Sequence, residues 1–178
     1  MPPQLRGALL DDLMRAAESA GYQHDDATSL PSSWRRLEWV AAEKEVQLDE
    51  AIAAQLGLEA VAEIGREAAT ISLQGSLLQP IAESALRFFG PRPYALFRWA
   101  PSFWGIATRG IGQLRIEELE HGGRVTIHDV PPEVGSSLPW RAEIRGRLLS
   151  GIDVVGVDGD VVEEPSSSAI VFLVHWSG

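Results

Sequence analysis

The spacing of apolar residues changes at Gly110, and this change constrains the fold more than any other feature of the chain. Before Gly110 the apolar residues recur at helical intervals, whereas after it they predict two strands, at 111–119 and 124–130. The Gly-rich tetrapeptide at 120–123 suits the turn of a β-hairpin between those strands. The change lies within the stretch 91–132, which is also rich in Trp and Arg. A helical segment must therefore meet a β-sheet here.

The first part of the chain contains five segments with the apolar spacing of helices. They are residues 4–20, 33–40, 49–57, 58–79 and 93–109. Ser32 or Ser33 is expected to cap the second helix and Asp49 the third, because their side-chain oxygens can accept backbone N–H bonds. Pro80 is expected to kink or restart the fourth helix, which then continues through Phe89.

A further helix and a second pair of strands follow the hairpin. Residues 139–150 return to helical spacing, and Gly151 is expected to end that helix. Residues 152–163 and 169–176 have the apolar character of strands. The final strand is apolar on both faces, so it is expected to be central in the sheet or covered on each side.

This order of elements predicts an α+β fold. An N-terminal helical layer, at about 4–109, precedes a ββαββ part, at about 111–177, which forms one mainly antiparallel sheet. The chain has 178 residues, which is the size of one ordinary domain. We therefore expect a single domain over residues 1–178.

The composition excludes several classes of site and partner. The chain has no cysteine, which removes disulfides, thiolate nucleophiles and cysteine-based metal sites. Its net charge of −10 opposes general binding to nucleic acid, because an acidic body repels phosphate. No apolar run is long enough to span a bilayer. A cytoplasmic protein is the simplest expectation.

No motif in the sequence indicates catalysis, a metal or a cofactor. The Gly-x-Ser-x-Gly, phosphate-loop and His-Glu-x-x-His patterns are missing, so we do not expect an enzyme. No two of the four histidines have the spacing that zinc sites favour. His128 lies opposite the apolar residues of its strand, and His175 is expected to be a core histidine rather than an iron ligand. We therefore expect no metal and no cofactor, haem included.

The aromatic residues of the segment 93–109 allow two interpretations. Trp99, Phe103 and Trp104 lie on neighbouring faces of the predicted helix. Such a stripe commonly belongs to the core. Alternatively, these three side chains line a ligand pocket, since ligand pockets are mostly apolar with few polar anchors.

Arginines accompany these aromatic residues. Residues 65–115 contain six arginines and only two acidic residues, so the middle of the chain is locally cationic. This excess is either a solvated helix face or an anion site. In the second case Arg98 or Arg109 would stand at the mouth of the pocket and hold an anionic head group. A guanidinium suits that role because its planar N–H groups bind a carboxylate or phosphate in two places.

Small residues recur at helical spacing along the fourth predicted helix. They include Gly65, Ala69, Ser72, Gly75 and Ser76. Each glycine inside a helix costs about 1 kcal/mol relative to alanine, so a compensating close contact is expected. That contact is either tight packing within the chain or the interface of a homodimer.

Several landmarks occur in an order that resembles a known family. These are Leu30-Pro31-Ser32-Ser33-Trp34, the helix 48–57, Ile64-Gly65-Arg66, the FRWAPSFW segment that leads into the hairpin, and a terminal strand ending at Trp176. Together they resemble an uncharacterised paralogous family of soluble single-domain proteins from myxobacteria, over about residues 5–177. Leu30 departs from the family pattern, where an aromatic residue is more usual, and the segment between Pro132 and Trp140 is shortened.

That family is in turn similar to a broader group of α/β ligand-binding domains. The group includes haem nitric-oxide-binding proteins, four-vinyl-reductase domains and small subunits of a vesicle-tethering complex. The resemblance implies a helical layer on an antiparallel sheet, an apolar ligand cavity and dimerisation through helices, but no reaction.

Two functions follow as hypotheses. The first is a non-catalytic sensory or regulatory domain that binds an apolar or anionic small molecule between the helices and the sheet. The alternative is an adaptor or scaffold subunit that binds a protein partner and no ligand.

Overall fold

The structure is a computed structural model that describes residues 2–25, 30–74, 79, 84, 94 and 97–177. The helices in these ranges are α1 (Gly7–Ser19), α2 (Glu43–Leu56), α3 (Leu58–Gln74), α4 (Ala100–Ala107), α5 (Pro132–Gly135) and α6 (Leu138–Asp153). The strands are β1 (Gln4–Arg6), β2 (Trp39–Ala41), β3 (Thr108–Arg109), β4 (Gln113–Leu119), β5 (Gly122–His128), β6 (Gly159–Glu164) and β7 (Ala169–Trp176). Across the described ranges, no helix combines the length and the apolar character that crossing a membrane requires.

The second half of the chain forms a four-stranded antiparallel sheet. Its strand order is β4-β5-β7-β6, and β4, β5, α6, β6 and β7 follow one another as the predicted ββαββ unit, with the short α5 added before α6. Val125 of β5 lies opposite Phe172 of β7, and both side chains are fully buried. The α+β fold is therefore confirmed, and β7 is central in the sheet as its two apolar faces predict.

A second, three-stranded sheet holds the N-terminus, and the sequence did not indicate it. β1 lies between β2 and β3, with Leu5 paired to Val40 and to Thr108. The prediction of helix from residue 4 was wrong for the first three residues, and the predicted helix 33–40 was wrong. Pairing with distant strands has overridden the local helical spacing there, as tertiary context commonly does for short strands.

Helix α2 begins, and helix α6 ends, at a different residue from the one predicted. α2 begins at Glu43, so Asp49 lies inside the helix and is fully buried rather than capping it. Gly57, at φ 90°, ends α2 as expected. α6 continues past Gly151 to Asp153, because Gly151 lies against the Phe97 ring rather than at a turn. The predicted continuation of α3 over 80–89 lies outside the described residues.

The helical layer is organised by close packing between α3 and α6. A β-carbon on Gly65 of α3 would lie 2.5 Å from the carbonyl oxygen of Glu143 in α6. A β-carbon on Gly146 of α6 would overlap the carbonyl oxygen of Ala62 in α3. The two helix backbones therefore touch at both glycines. This contact fixes the face of α6 that lines the cavity described next.

Candidate ligand-binding cavity

An apolar cavity lies between the helices and the four-stranded sheet. Most of the described residues that line it come from α1, α2, α3, α4, α6 and β4, and its volume is about 170 Å³. Its apolar lining includes Leu9, Ala69, Phe103, Trp104, Leu114 and Leu148. In another protein, an apolar cavity of about 150 Å³ binds benzene or xenon. This cavity is therefore large enough for a small organic molecule.

Helix α4 supplies the aromatic wall of the cavity. Phe103 and Trp104, two of the three aromatic residues predicted to line a pocket, both lie on its lining. The indole Nε1 of Trp104 donates to the carbonyl oxygen of Gly112 over 3.3 Å, which holds the ring towards β4. Trp99 immediately precedes α4 at its N-cap position and is not among the lining residues. Phe97 also lines the cavity and stacks on Trp176, with ring centroids 5.7 Å apart.

Neither arginine expected at the mouth of the pocket lines the cavity. The Arg98 side chain is exposed. Arg109 lies on β3, where its guanidinium stacks 3.8 Å from the centre of the Trp39 ring. Arg6 stacks on the same ring at 3.9 Å, so Trp39 lies in contact with two guanidinium groups. Among the described residues that line the cavity, the cation is Arg147 of α6.

The small-residue stripe of α3 faces the interior of the chain. Gly65 packs on α6, Ala69 lines the cavity, and the Ser72 hydroxyl donates to Asp12 over 2.8 Å. All three residues are buried within one chain. The close contact that they permit is therefore intramolecular, one of the two alternatives that the sequence left open. Gly75 and Ser76 lie outside the described residues, and a homodimer stays a prediction.

The polar end of the cavity is a buried network centred on Arg147. Glu45 and Arg147 both line the cavity, and the Arg147 guanidinium donates to Glu45 Oε1 over 3.3 Å. Arg147 Nε donates to Glu143 one turn earlier in α6. The indole Nε1 of Trp140 donates to Glu45 Oε2 over 2.9 Å. The network thus joins α2 to α6 beside the cavity.

This network contains more carboxyl groups than cations. Asp49 and Glu143 are fully buried, and Glu45 nearly so. Burial raises the pKa of Glu143 to about 7, although the charge of Arg147 opposes the rise. Burial, followed by the nearby Glu143 and Glu45, raises the pKa of Asp49 well above its usual range. The pKa of Glu45 is also raised by burial, against the effects of Arg147 and the Trp140 hydrogen bond.

Sequence reasoning missed this network, although one signal was available. Trp140, Glu143 and Arg147 recur at the spacing of one helix face, the same stripe that contains Ile144 and Leu148. Charged residues on a buried face are rare unless they are paired, so their position in the stripe indicates a buried ion pair. The partner Glu45 lies 102 residues from Arg147 along the chain, and no local pattern connects the two.

Histidines take no part in the cavity. His121 and His175 are exposed, His24 and His128 are partly buried, and none of the four lines the cavity. The expectation that His175 belongs to the core was wrong, because the buried face of β7 consists of Ile170, Phe172 and Val174. Within the part of the chain that the structure describes, no group of three His, Cys, Asp or Glu residues could hold a metal ion.

Comparison with solved structures finds the same fold in H-NOX domains. A mutant of the T. Tengcongensis H-NOX matches with a TM-score of 0.69 and 9% identity, over 98% of both chains. An oxygen-binding H-NOX domain related to soluble guanylate cyclases, in its oxygen complex, matches with a TM-score of 0.68 and 10% identity, over 98% of this chain and 96% of that one. A structure described as probing heme distortion in the H-NOX family matches with a TM-score of 0.65 and 10% identity, over the same shares.

Sequence comparison adds no closer relationship. No family model matches the chain, and no curated protein matches it. The resemblance to the haem nitric-oxide-binding group is thus confirmed at the level of the fold, while membership of the myxobacterial family stays a prediction. The chain has an H-NOX-like α+β fold, with an apolar cavity between its helices and its sheet.

Proposed function

We propose that this chain is a non-catalytic sensory domain that binds a small apolar molecule in the cavity between helices and sheet. The observation that carries the proposal is the cavity itself, with its volume of about 170 Å³ and its mainly apolar lining.

The position of the cavity would also allow a bound ligand to change the arrangement of the helices and the sheet. Its lining includes residues of α3, α4, α6 and β4, so a ligand would contact the helical layer and the sheet together. A ligand that binds only one arrangement of these elements stabilises that arrangement by its differential affinity.

Haem, which the description of one H-NOX structure names, does not fit the residues of this cavity. Haem iron is held by His, Cys, Met or Tyr, and none of these residue types occurs among the described lining residues. All four histidines are described and lie elsewhere, and the chain has no cysteine. The volume of about 170 Å³ is also below the roughly 300–1,000 Å³ of pockets for drug-sized ligands. We therefore assign no role to haem.

Toluene is a direct probe of the proposed site, and Ala69→Leu is the variant that tests it. Wild-type protein is expected to bind toluene, with changes in the methyl NMR shifts of Leu9 and Leu148. The larger side chain of Ala69→Leu projects into the cavity and should weaken that binding at least tenfold. Ala54→Leu makes the same change on the exposed face of α2 and should leave binding unchanged.

Two results would contradict the proposal. One is the absence of toluene binding to a wild-type protein that circular dichroism shows to be folded. The other is equal binding by wild type and by a folded Ala69→Leu variant. Mass spectrometry of gently purified protein supplies a separate check, since a natural ligand of this site should appear as an added mass.

A further inference from the structure

The polar end of the cavity has an excess of buried negative groups. Three carboxyl groups, of Glu45, Asp49 and Glu143, surround the single guanidinium of Arg147. Glu45 is 4% exposed, and Asp49 and Glu143 are fully buried. If all four groups were ionised, the network would carry a net charge of −2. Buried charges of one sign are strongly unfavourable unless a counter-charge accompanies them.

The same network is short of hydrogen-bond donors. Arg147 donates to Glu45 and to Glu143, and Trp140 donates to Glu45. Both oxygens of Asp49 and Oε2 of Glu143 are buried without a hydrogen-bond partner among the described residues. A buried acceptor that lacks a donor loses its hydration without compensation. Asp49 and Glu143 do not line the cavity, so a ligand there would act on them through its positive charge rather than by donating hydrogen bonds to them.

A ligand in the cavity can contact this network only at Glu45 and Arg147, because these are the two residues of the network that line the cavity. A ligand carboxylate would add a fourth acidic group to three whose pKa values burial already raises. A ligand ammonium would instead lie beside Glu45, whose Oε1 receives only a 3.3 Å bond from Arg147. The charge around the cavity thus favours a cationic head group over an anionic one.

We propose that the cavity recognises a small apolar molecule bearing a protonated amine, with the ammonium group beside Glu45 and the apolar body against Phe103, Trp104 and Leu148. This inference rests on the proposed function of the cavity. It also replaces the anionic head group that Arg98 or Arg109 would have held, since neither residue lines the cavity.

A cation at this position would lower the proton affinity of the carboxyl groups around it. Burial holds the pKa of Glu143 at about 7, so at pH 6 this carboxyl is mostly protonated in the free protein. The charged groups that act on it are Glu45 and Arg147, and the charges of Glu143, Glu45 and Arg147 act in turn on Asp49. Binding of an amine at pH 6 should therefore release protons, whereas binding of a neutral molecule should not.

Four probes of one shape, namely toluene, benzyl alcohol, benzylamine and benzoate, test the proposal by calorimetry at pH 6. Benzylamine is expected to bind at least tenfold more tightly than benzyl alcohol, and benzoate is expected to bind most weakly. In Glu45→Gln the advantage of benzylamine over benzyl alcohol should disappear. Titrations of wild type in two buffers of different ionisation enthalpy should show proton release with benzylamine only.

The outcomes separate this inference from the proposed function. Binding of toluene together with equal affinities for benzylamine and benzyl alcohol would overturn the cationic head group and leave the cavity as a ligand site. Tighter binding of benzoate than of benzylamine would overturn it in favour of an anion. Failure of all four probes to bind would overturn both proposals. The proton-release measurement uses wild type, so it decides the matter even if Glu45→Gln does not fold.

Discussion

Replacing Gly146 by alanine is expected to lower the free energy of unfolding by about 3 kcal/mol, because the new methyl group has no room. A β-carbon there would overlap the carbonyl oxygen of Ala62 and approach the amide nitrogen of Arg66 to 2.9 Å. Both obstacles are helix backbone, which cannot rotate away as a flexible side chain can. The helices α3 and α6 would have to separate. Chemical denaturation followed by circular dichroism measures the effect.

Gly105 provides the matched control, since it is also a glycine inside a helix. A β-carbon on Gly105 would meet nothing within 4 Å. Alanine is favoured over glycine inside a helix, and here it meets no obstacle. Gly105→Ala should therefore raise the free energy of unfolding by about 0.5–1 kcal/mol. If Gly146→Ala proves as stable as Gly105→Ala, the close contact of α3 with α6 is wrong.

The second large effect is a dependence of stability on pH that comes from Glu143. Its folded-state pKa of about 7 is raised above the usual 4.5, so folding favours its protonated form. Its contribution to stability is fully present below about pH 4.5 and is lost as pH rises through 7. A shift of this size corresponds to about 3 kcal/mol. The raised pKa values of Glu45 and Asp49 act in the same direction.

Glu143→Gln should remove the part of this dependence that comes from Glu143, because glutamine fills the same space and does not titrate, while Glu45 and Asp49 remain. We expect the free energy of unfolding of wild type to fall between pH 5 and pH 8, and that of Glu143→Gln to fall less steeply. The exposed Glu59, which pairs with Arg145, is the matched control, and Glu59→Gln should keep the wild-type slope. A wild-type stability that rises over this interval, or an unchanged slope in Glu143→Gln, would contradict the buried acidic network.

Local patterns carried enough information to predict the hairpin of the four-stranded sheet, whereas the strand predicted at 152–163 was wrong at its start, because β6 spans Gly159–Glu164 and α6 extends to Asp153. Gln113–Leu119 and Gly122–His128 form the hairpin that alternation and the Gly-rich turn predict. β1 and β2 were missed because each has three residues and exists only through pairing with distant segments. Asp49 was misplaced at a helix start because a carboxylate is a common N-cap, and nothing nearby shows that its helix begins at Glu43.

The sequence predicted the aromatic wall of the cavity but not its polar end. Phe103 and Trp104 are large and adjacent on one predicted helix, so their place on neighbouring faces of one pocket wall could be inferred. The bond between Trp140 and Glu45 joins residues 95 positions apart, and tertiary packing of α2 against α6 creates it. For the same reason the arginine that lines the cavity is Arg147, although Arg98 and Arg109 lie nearer the aromatic residues in sequence. The adaptor alternative stays a prediction.

The most direct test of the cavity as a ligand site is an isotope-filtered NMR experiment on wild-type protein with toluene bound. It detects which protein protons lie next to the ligand. We expect contacts from toluene to Ala69, Trp104 and Leu148, which line the cavity on three different helices. Contacts confined to exposed apolar residues such as Leu37, which is 70% exposed, would show instead that toluene binds the surface and that the cavity is not the site.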